Sequence, residues 1–452
     1  MKKILTLTLF LFCLAPVFAQ SAEKELEFYK SEINKADKRQ LSSLEWDLNS
    51  WLERNYSLPS APDAMLQKAR VEYLDKEYTR AYLTLLKYAY EFPTKKLPKD
   101  FVNQVVTEFP SKKQMQLMQA LAPKNLPQAT EDRLNMFFTA ANKLELRDAN
   151  EHLLKDYDLF FMRFPGYENL DKIELLLGDS YRNDGNYFAA LSKYDKVWQI
   201  YPSTKYKAAA LRMKGDIYAG ELKDYEKARS YYTQVLKEFP SSVEIPTAYK
   251  HLAFLEANTK NYESALDNAQ KAYEGYLKEG QKLEAYNALM FKAEVQEKNL
   301  KNYNSAVETL RVAADILADK EQYYVEAKQK EAKIQAKKLK DNYAEREVME
   351  EIAIKYPNTE NGVEALYRAA ELTEKFGETA KAKEIYNRVI LNRPQSPVAI
   401  KAQKKINSAE RAAARAKIKA AKDAEKVQAP AKFSAPAASP EVETIEDIEI
   451  ID

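Results

Sequence analysis

Apolar residues open the chain at helical spacing. Leu26, Tyr29 and Ile33 fall three to four apart, and Leu41, Leu44, Trp46, Leu48 and Trp51 follow. That spacing predicts one or two helices over 20–58, closed by Pro59 and Pro62. Further on the pattern gains punctuation. An aromatic-Pro pair recurs at Phe92-Pro93, Phe109-Pro110, Phe164-Pro165, Tyr201-Pro202, Phe239-Pro240 and Tyr356-Pro357. Fifteen residues before Pro93, Pro202 and Pro240 stand Tyr78, Tyr187 and Tyr225, each followed three residues later by Ala81, Ala190 or Ala228. Tyr262 with Ala265 and Tyr303 with Ala306 repeat the Tyr-x-x-Ala pattern, and Ala382 with Pro394 repeats the alanine-to-proline spacing.

These residue types have a common physical reading. Alanine suits a point where two helices cross closely, and an aromatic four residues on, as at Tyr194, Tyr232 and Tyr386, lies on the same face and fills the groove beside it. Proline lacks an N–H and disfavours helix in the residue before it, so it ends the second helix of each pair. Leu177-Gly178 with Tyr181 precedes Ala190, and Gly215-Asp216 with Tyr218 precedes Ala228. Glycine at that place lets the paired helix come close. The predicted role of all these positions is packing.

A fixed period of this kind marks a repeat architecture. The pattern Leu177-Gly178, Tyr181, Ala190, Tyr194, Val197, Pro202 resembles the tetratricopeptide repeat (TPR). So do Gly215, Tyr218, Ala228, Tyr232, Val235, Pro240, then Leu252-Ala253, Ala265, Ala269, Ala272, and finally Leu366, Ala370, Ala382, Tyr386, Val389, Pro394. The period here is 37 to 41 residues, longer than the family's usual 34, with the extra residues after the proline. Extended units of this kind resemble TPR proteins of the bacterial envelope, of the Tol–Pal-associated division type and the barrel-assembly lipoprotein type. The resemblance implies an all-α fold, a TPR-like α-solenoid of stacked antiparallel helix pairs. It covers 166–320 and 357–400, with a fainter copy near 63–93.

The resulting organisation is an N-terminal helical segment at 20–60, divergent TPR-like helices at 61–165, repeats at 166–320, a long charged helix at 321–343, and further repeats at 344–400. A basic helix at 401–428 and a disordered linker with an acidic tail at 429–452 complete it. In 401–426 nine Lys and Arg stand against three acids among many alanines. The plain reading is a solvated helix capping the stack; the sharper one is a basic arm for an acidic partner or a peripheral contact with a lipid surface. The tail 441–452 interleaves six acids with Ile445, Ile448, Ile450 and Ile451, the composition of either a disordered acidic end or a short docking peptide.

The first 19 residues read as an address. Lys2 and Lys3, the apolar run Ile4 to Leu14, and Val17-Phe18-Ala19 follow the three-part pattern of a secretory signal with cleavage after Ala19. The run is short of the roughly 20 apolar residues a membrane span needs. The expectation is export to the periplasm, with association to the outer membrane as an option. The signal holds two lysines and no acid, so 70 Lys plus Arg against 68 Asp plus Glu becomes 68 against 68 without it. A neutral, mixed balance argues against nucleic-acid binding. The signal also carries the one cysteine, Cys13, leaving no thiol for a disulfide or metal.

Catalytic signatures are missing. Two histidines, His152 and His251, lie far apart in sequence, and nine scattered glycines form no phosphate-cradling loop. There is no Gly-x-Ser-x-Gly elbow. The expectation is a protein without catalytic residues, metal or cofactor. Thirty tyrosines raise carbohydrate binding as a lesser reading, although most fall at repeat packing positions.

The resemblance implies a scaffold that binds other envelope proteins or peptides on the concave face of the superhelix. It places ligand contacts on each first helix: Lys172, Asp179, Arg182 and Asn183, then Arg212 and Asp216, then Lys250 and Asn258. The alternative is a structural, self-associating envelope component of an outer-membrane assembly, secretion or motility machinery. The oligomeric state is open at this level.

Overall fold

The computed structural model describes residues 20–428, with side chains as far as residue 423; the expected signal at 1–19 and the expected linker and acidic tail at 429–452 lie outside the described residues. Those residues are helical throughout and contain no strand. They fall into two compact units, one ending at Gly280 and the other beginning at Gln281, a division inside the stretch read above as one run of repeats.

The first unit starts with α1 (20–33) and α2 (Lys38–Asn55). Asp37 opens α2 with a capping box. Its carboxylate accepts from the Arg39 and Gln40 amides, and Gln40 Oε1 accepts from the Asp37 amide. Trp51 is fully buried and donates its indole N–H to the Ala22 carbonyl at 2.9 Å, tying α2 to α1. Then come α3 (Ala61–Leu74), α4 (Tyr78–Glu91), the short α5 (Lys99–Thr107) and α6 (Ser111–Ala120), α7 (Thr130–Leu144) and α8 (Asn150–Arg163). The stretch with the weakest repeat pattern holds a dense aromatic core. Phe138 stacks on Tyr157 at 3.9 Å and meets Phe160 edge-on. Regular pairs follow as α9 (Leu170–Asn183) with α10 (Tyr187–Ile200), α11 (Lys207–Gly220) with α12 (Tyr225–Glu238), and α13 (Ile245–Asn258) with α14 (Tyr262–Lys278). Helices α4, α8, α10 and α12 each stop at the residue before an aromatic-Pro pair. Ala81, Ala190, Ala228 and Ala265 are wholly buried, as close helix crossing requires.

The second unit holds α15 (Lys282–Glu294), α16 (Tyr303–Ile316), α17 (Glu321–Ile334), α18 (Asn342–Lys355), α19 (Glu360–Lys375), α20 (Thr379–Asn392) and α21 (Pro397–Gln428). The charged helix expected over 321–343 ends short of that bound, its helical turns stopping at Leu339. α17 gives way to a π-helical turn, Gln335–Leu339, closed by the Asp341 amide donating to the Gln335 carbonyl at 2.9 Å. The same device ends α15. Val295–Asn299 is π-helical, and the Asn302 amide donates to the Gln296 carbonyl at 2.8 Å. Glu326, Lys328, Lys330 and Glu331 of this stretch form ion pairs. Lys328 is buried between Glu331 at 3.0 Å and Glu351 at 2.6 Å, so α17 and α18 are an ordinary repeat pair. In α21 the buried residues end at Ile406, and every side chain from 407 to 423 is exposed.

One turn recurs in both units. Lys76, Gly185, Lys223, Lys260, Lys301, Lys340 and Gly377 all have positive φ, between 54° and 82°, and each sits between the two helices of a pair. The residue after each opens the second helix. Asn186, Asp224, Asn302 and Asp341 accept from the amide three residues on. Lysine in the left-handed region is strained relative to glycine, by ~1–2 kcal/mol.

Candidate functional site

The first helices α9, α11 and α13 carry the residues expected to meet a partner. Four of them form one network. Asp179 on α9 accepts from the Tyr194 hydroxyl at 2.7 Å, and Asp216 on α11 accepts from the Tyr232 hydroxyl at 2.8 Å. Arg212 pairs with Asp216 one turn on at 2.5 Å and with Glu244 at 2.6 Å, at the entrance to α13. Arg182 spans the two repeats through long contacts, 3.9 Å to Asp179 and 4.0 Å to Asp216. His251 joins from α13, its Nδ1 at 3.2 Å from Asp216 and its ring tilted beside Tyr232. The outcome is a strip of alternating charge that crosses three repeats.

Burial decides which members can meet a partner. Side-chain exposure is 16% at Asp179, 14% at Asp216 and 15% at Arg212, against 34% at Arg182 and 31% at His251. Burial pushes the Asp179 carboxyl up, partly offset by Arg182 and the Tyr194 hydroxyl. Burial also pushes the His251 imidazole down; Arg212 and Lys250 add to this while Asp216 and Glu244 oppose it. Asp179, Arg212 and Asp216 thus hold the repeats together, and Arg182 and His251 are the open edge.

The other four expected residues lie outside this network. Lys172 is half-buried in the first turn of α9, its ammonium pushed down by burial and by Lys205. Asn183 and Asn258 are the last residues of α9 and α13, half-buried and exposed respectively. Lys250 stands over the Tyr276 ring, 5.6 Å from its centroid.

Each Asp–Tyr pair rests on a glycine. A Cβ at Gly178 or Gly215 would come closer than 3.0 Å to the ring of Tyr194 or Tyr232. One repeat on from Gly215, Asp216 and Tyr232 stand Ala253, Phe254 and Ala269. Without the ring the glycine is dispensable and the acid has no hydroxyl to accept. The last repeat sets Ala370 with Tyr386, whose hydroxyl donates to Glu374 instead. Glu244 and His251 were not foreseen as partners of this strip. Their signal was positional, since Glu244 immediately precedes α13 and His251 falls nearly two turns inside it.

Among the described residues no group of three His, Cys, Asp or Glu is placed to hold a metal ion, and no helix is long and apolar enough to cross a membrane.

Three segments, 174–204, 209–242 and 364–396, match the family model for the tetratricopeptide repeat. No curated protein matches the chain. Solved structures to which the chain shows similarity include PilW, a type IV pilus biogenesis factor. It is 17% identical over 52% of this chain and 99% of its own, with a TM-score of 0.31. The apo form of RapI is 15% identical over 86% of this chain and 98% of its own, with a TM-score of 0.37. A tetratricopeptide repeat protein from Parabacteroides merdae is 13% identical over 73% of this chain and 99% of its own, with a TM-score of 0.30. The chain carries tetratricopeptide repeats in both units, and its architecture is the all-α stack of antiparallel helix pairs that such repeats build.

Proposed function

We propose that this chain is a non-catalytic scaffold of the bacterial cell envelope that holds a peptide or protein partner along the α9–α11–α13 face. The observation that carries the reading is the charged strip across three repeats, with Arg182 and His251 at its half-exposed edge. A strip of both signs suits an extended segment that also carries both signs, because each charge then finds an opposite one at the spacing of a repeat. The envelope location rests on residues 1–19, whose pattern is that of a signal. The test uses Arg182→Glu together with His251→Glu, leaving Arg212 in place because it links α11 to the start of α13. The signal-less protein immobilised on beads should retain defined partners from an envelope extract, and the double variant should lose them at unchanged helicity. Equal retention by both would refute the reading.

A second reading, a self-associating structural component that grips the envelope, draws on α21. Its exposed run from 407 to 423 is basic and meets no core. Light scattering separates the two. A monomer supports the scaffold, and a concentration-dependent oligomer lost on truncation after Glu410 supports the second reading.

A further inference from the structure

Helix α21 leaves the stack partway along its length. Its first turns are seated by Ala399, Ala402 and Ile406, all buried. Two ion pairs fix it there, Lys405 to Glu374 at 2.9 Å and Glu410 to Lys383 at 2.7 Å. From 407 to 423 every side chain is exposed, yet the helix runs on. That run sets Arg411, Arg415, Lys417, Lys419 and Lys422 against Glu410 and Asp423. None of those five cations forms an ion pair with a described residue.

The cations are not spread evenly round the helix. At 3.6 residues per turn, Lys404, Ser408, Arg411, Arg415 and Lys422 fall within roughly 60° of one another. The first four line a shallow depression with Asn407 and Ala412. Ile418, 57% exposed, borders the same face. On the opposite side Ala409, Ala413, Ala416 and Ala420 continue the seam of Ala402 and Ile406. The basic face, with its exposed isoleucine, suits a segment in which acids alternate with apolar residues.

Such a segment is tethered to the same helix. Residues 441–452 hold six acids, no Lys or Arg, and Ile445, Ile448, Ile450 and Ile451. Twelve residues, 429–440, separate that segment from the end of α21 at Gln428. Arg411 lies ~26 Å back along the helix from Gln428, at ~1.5 Å per residue. Twelve residues span up to ~40 Å, so the whole basic face is within reach. A short tether also holds its end at an effective concentration of about millimolar, which a second copy or an outside partner must match to compete.

We propose that the acidic segment 441–452 docks on the basic face of α21 in its own chain, with its carboxylates on Arg411, Arg415 and Lys422 and its isoleucines against Ile418 and Ala414. The docked segment covers a face that would otherwise meet any anionic surface. The contact shares no residue with the α9–α11–α13 face, so either proposal stands if the other fails.

The test is disulfide trapping in the chain from residue 20 onward, which begins at α1 and holds no cysteine. Thr444→Cys is paired with Ser408→Cys on the basic face or with Ala409→Cys beside the alanine seam. The two helix positions share one tether length but point about 100° apart. At micromolar protein and low salt, the 408–444 bond should close within one chain about tenfold faster than the 409–444 bond. That is the bias three exposed ion pairs of ordinary strength supply. The preference should disappear in 1 M salt, where the screening length is ~3 Å. It should also disappear in an Arg411→Glu, Arg415→Glu background at unchanged helicity; should that background lose helix, the salt comparison decides the matter. Equal rates at low salt overturn the proposal and leave the face to an outside anionic partner. A disulfide that joins two chains overturns it in favour of a second copy.

Discussion

Replacing Gly215 with alanine tests the logic of the repeats most directly. A Cβ there would lie 2.5, 2.9 and 3.0 Å from Cε1, Cδ1 and Cζ of Tyr232. That ring is 1% exposed, and its hydroxyl is held by Asp216 at 2.8 Å, so it cannot retreat without breaking the bond. Overpacking costs ~1–3 kcal/mol, and a lost hydrogen bond to a charged group adds ~1.5–3 kcal/mol. Alanine returns ~1 kcal/mol of helix propensity. The expected net loss is about 3 kcal/mol. Gly220 supplies the control: it ends the same helix α11, and a Cβ there would meet nothing within 4 Å. Gly220→Ala should therefore be neutral or stabilising. Urea denaturation followed by far-ultraviolet circular dichroism measures both, and in a Tyr232→Ala background the penalty at position 215 should vanish. A Gly215→Ala protein at least as stable as the unaltered one would refute the argument.

Three further outcomes are expected. Tyr194→Phe removes the donor to Asp179 and should lower stability by ~1.5–3 kcal/mol in the same denaturation assay, because a half-buried carboxylate loses its partner. Arg133 donates to the Tyr90 and Glu91 carbonyls at the end of α4 and to Pro127, Gln128 and Thr130, so Arg133→Met should cost about 3 kcal/mol and loosen the first unit, read by hydrogen exchange at α4 and α7. The third outcome concerns pH. His251 has a folded pKa below its ordinary 6.5, so the unfolded chain takes up the proton first. Its contribution is fully present above pH ~6.5 and is lost as pH falls from there towards the folded value, at no more than ~1.4 kcal/mol per pH unit. His251→Gln should flatten that slope in melts between pH 5 and 7.5, roughly the window where histidine titrates; an unchanged slope would show that the imidazole does not contribute.

Much of the fold was legible because its rules are short-range. Aromatic-Pro pairs ended α4, α8, α10 and α12, and the motif alanines proved to be crossing points, since both depend on a few neighbouring residues. The break inside 321–343 was harder to read. Lys and Glu favour helix wherever they stand, and a π-turn depends on two backbone bonds rather than on composition. A signal did exist: Gln-x-x-x-Leu-Lys followed by Asn302 in one repeat recurs before Asp341 in the next. The site was legible only in part. Helical spacing places Arg212 and Asp216 on one face of α11, and the repeat period sets Asp179 in the matching place on α9, but neither tells which are bound inward by tyrosines and which stay open. The cavity between α2, α3, α4 and α8 was invisible, since His152 on its wall is hydrogen-bonded at 3.0 Å to Glu45, 107 residues away.

The turn between paired helices has a consequence for how such a chain changes over generations. Its instructions are two adjacent residues, a lysine or glycine that turns left and a polar residue that starts the next helix, and they travel with the helices they join. A duplicated or deleted stretch of one period therefore carries its own joint and leaves no mismatched turn. The Gly–Asp–Tyr trio travels in the same way, both of its helices lying within one period, whereas the Arg212–Glu244 pair crosses from one repeat to the next and is broken when a neighbour is exchanged.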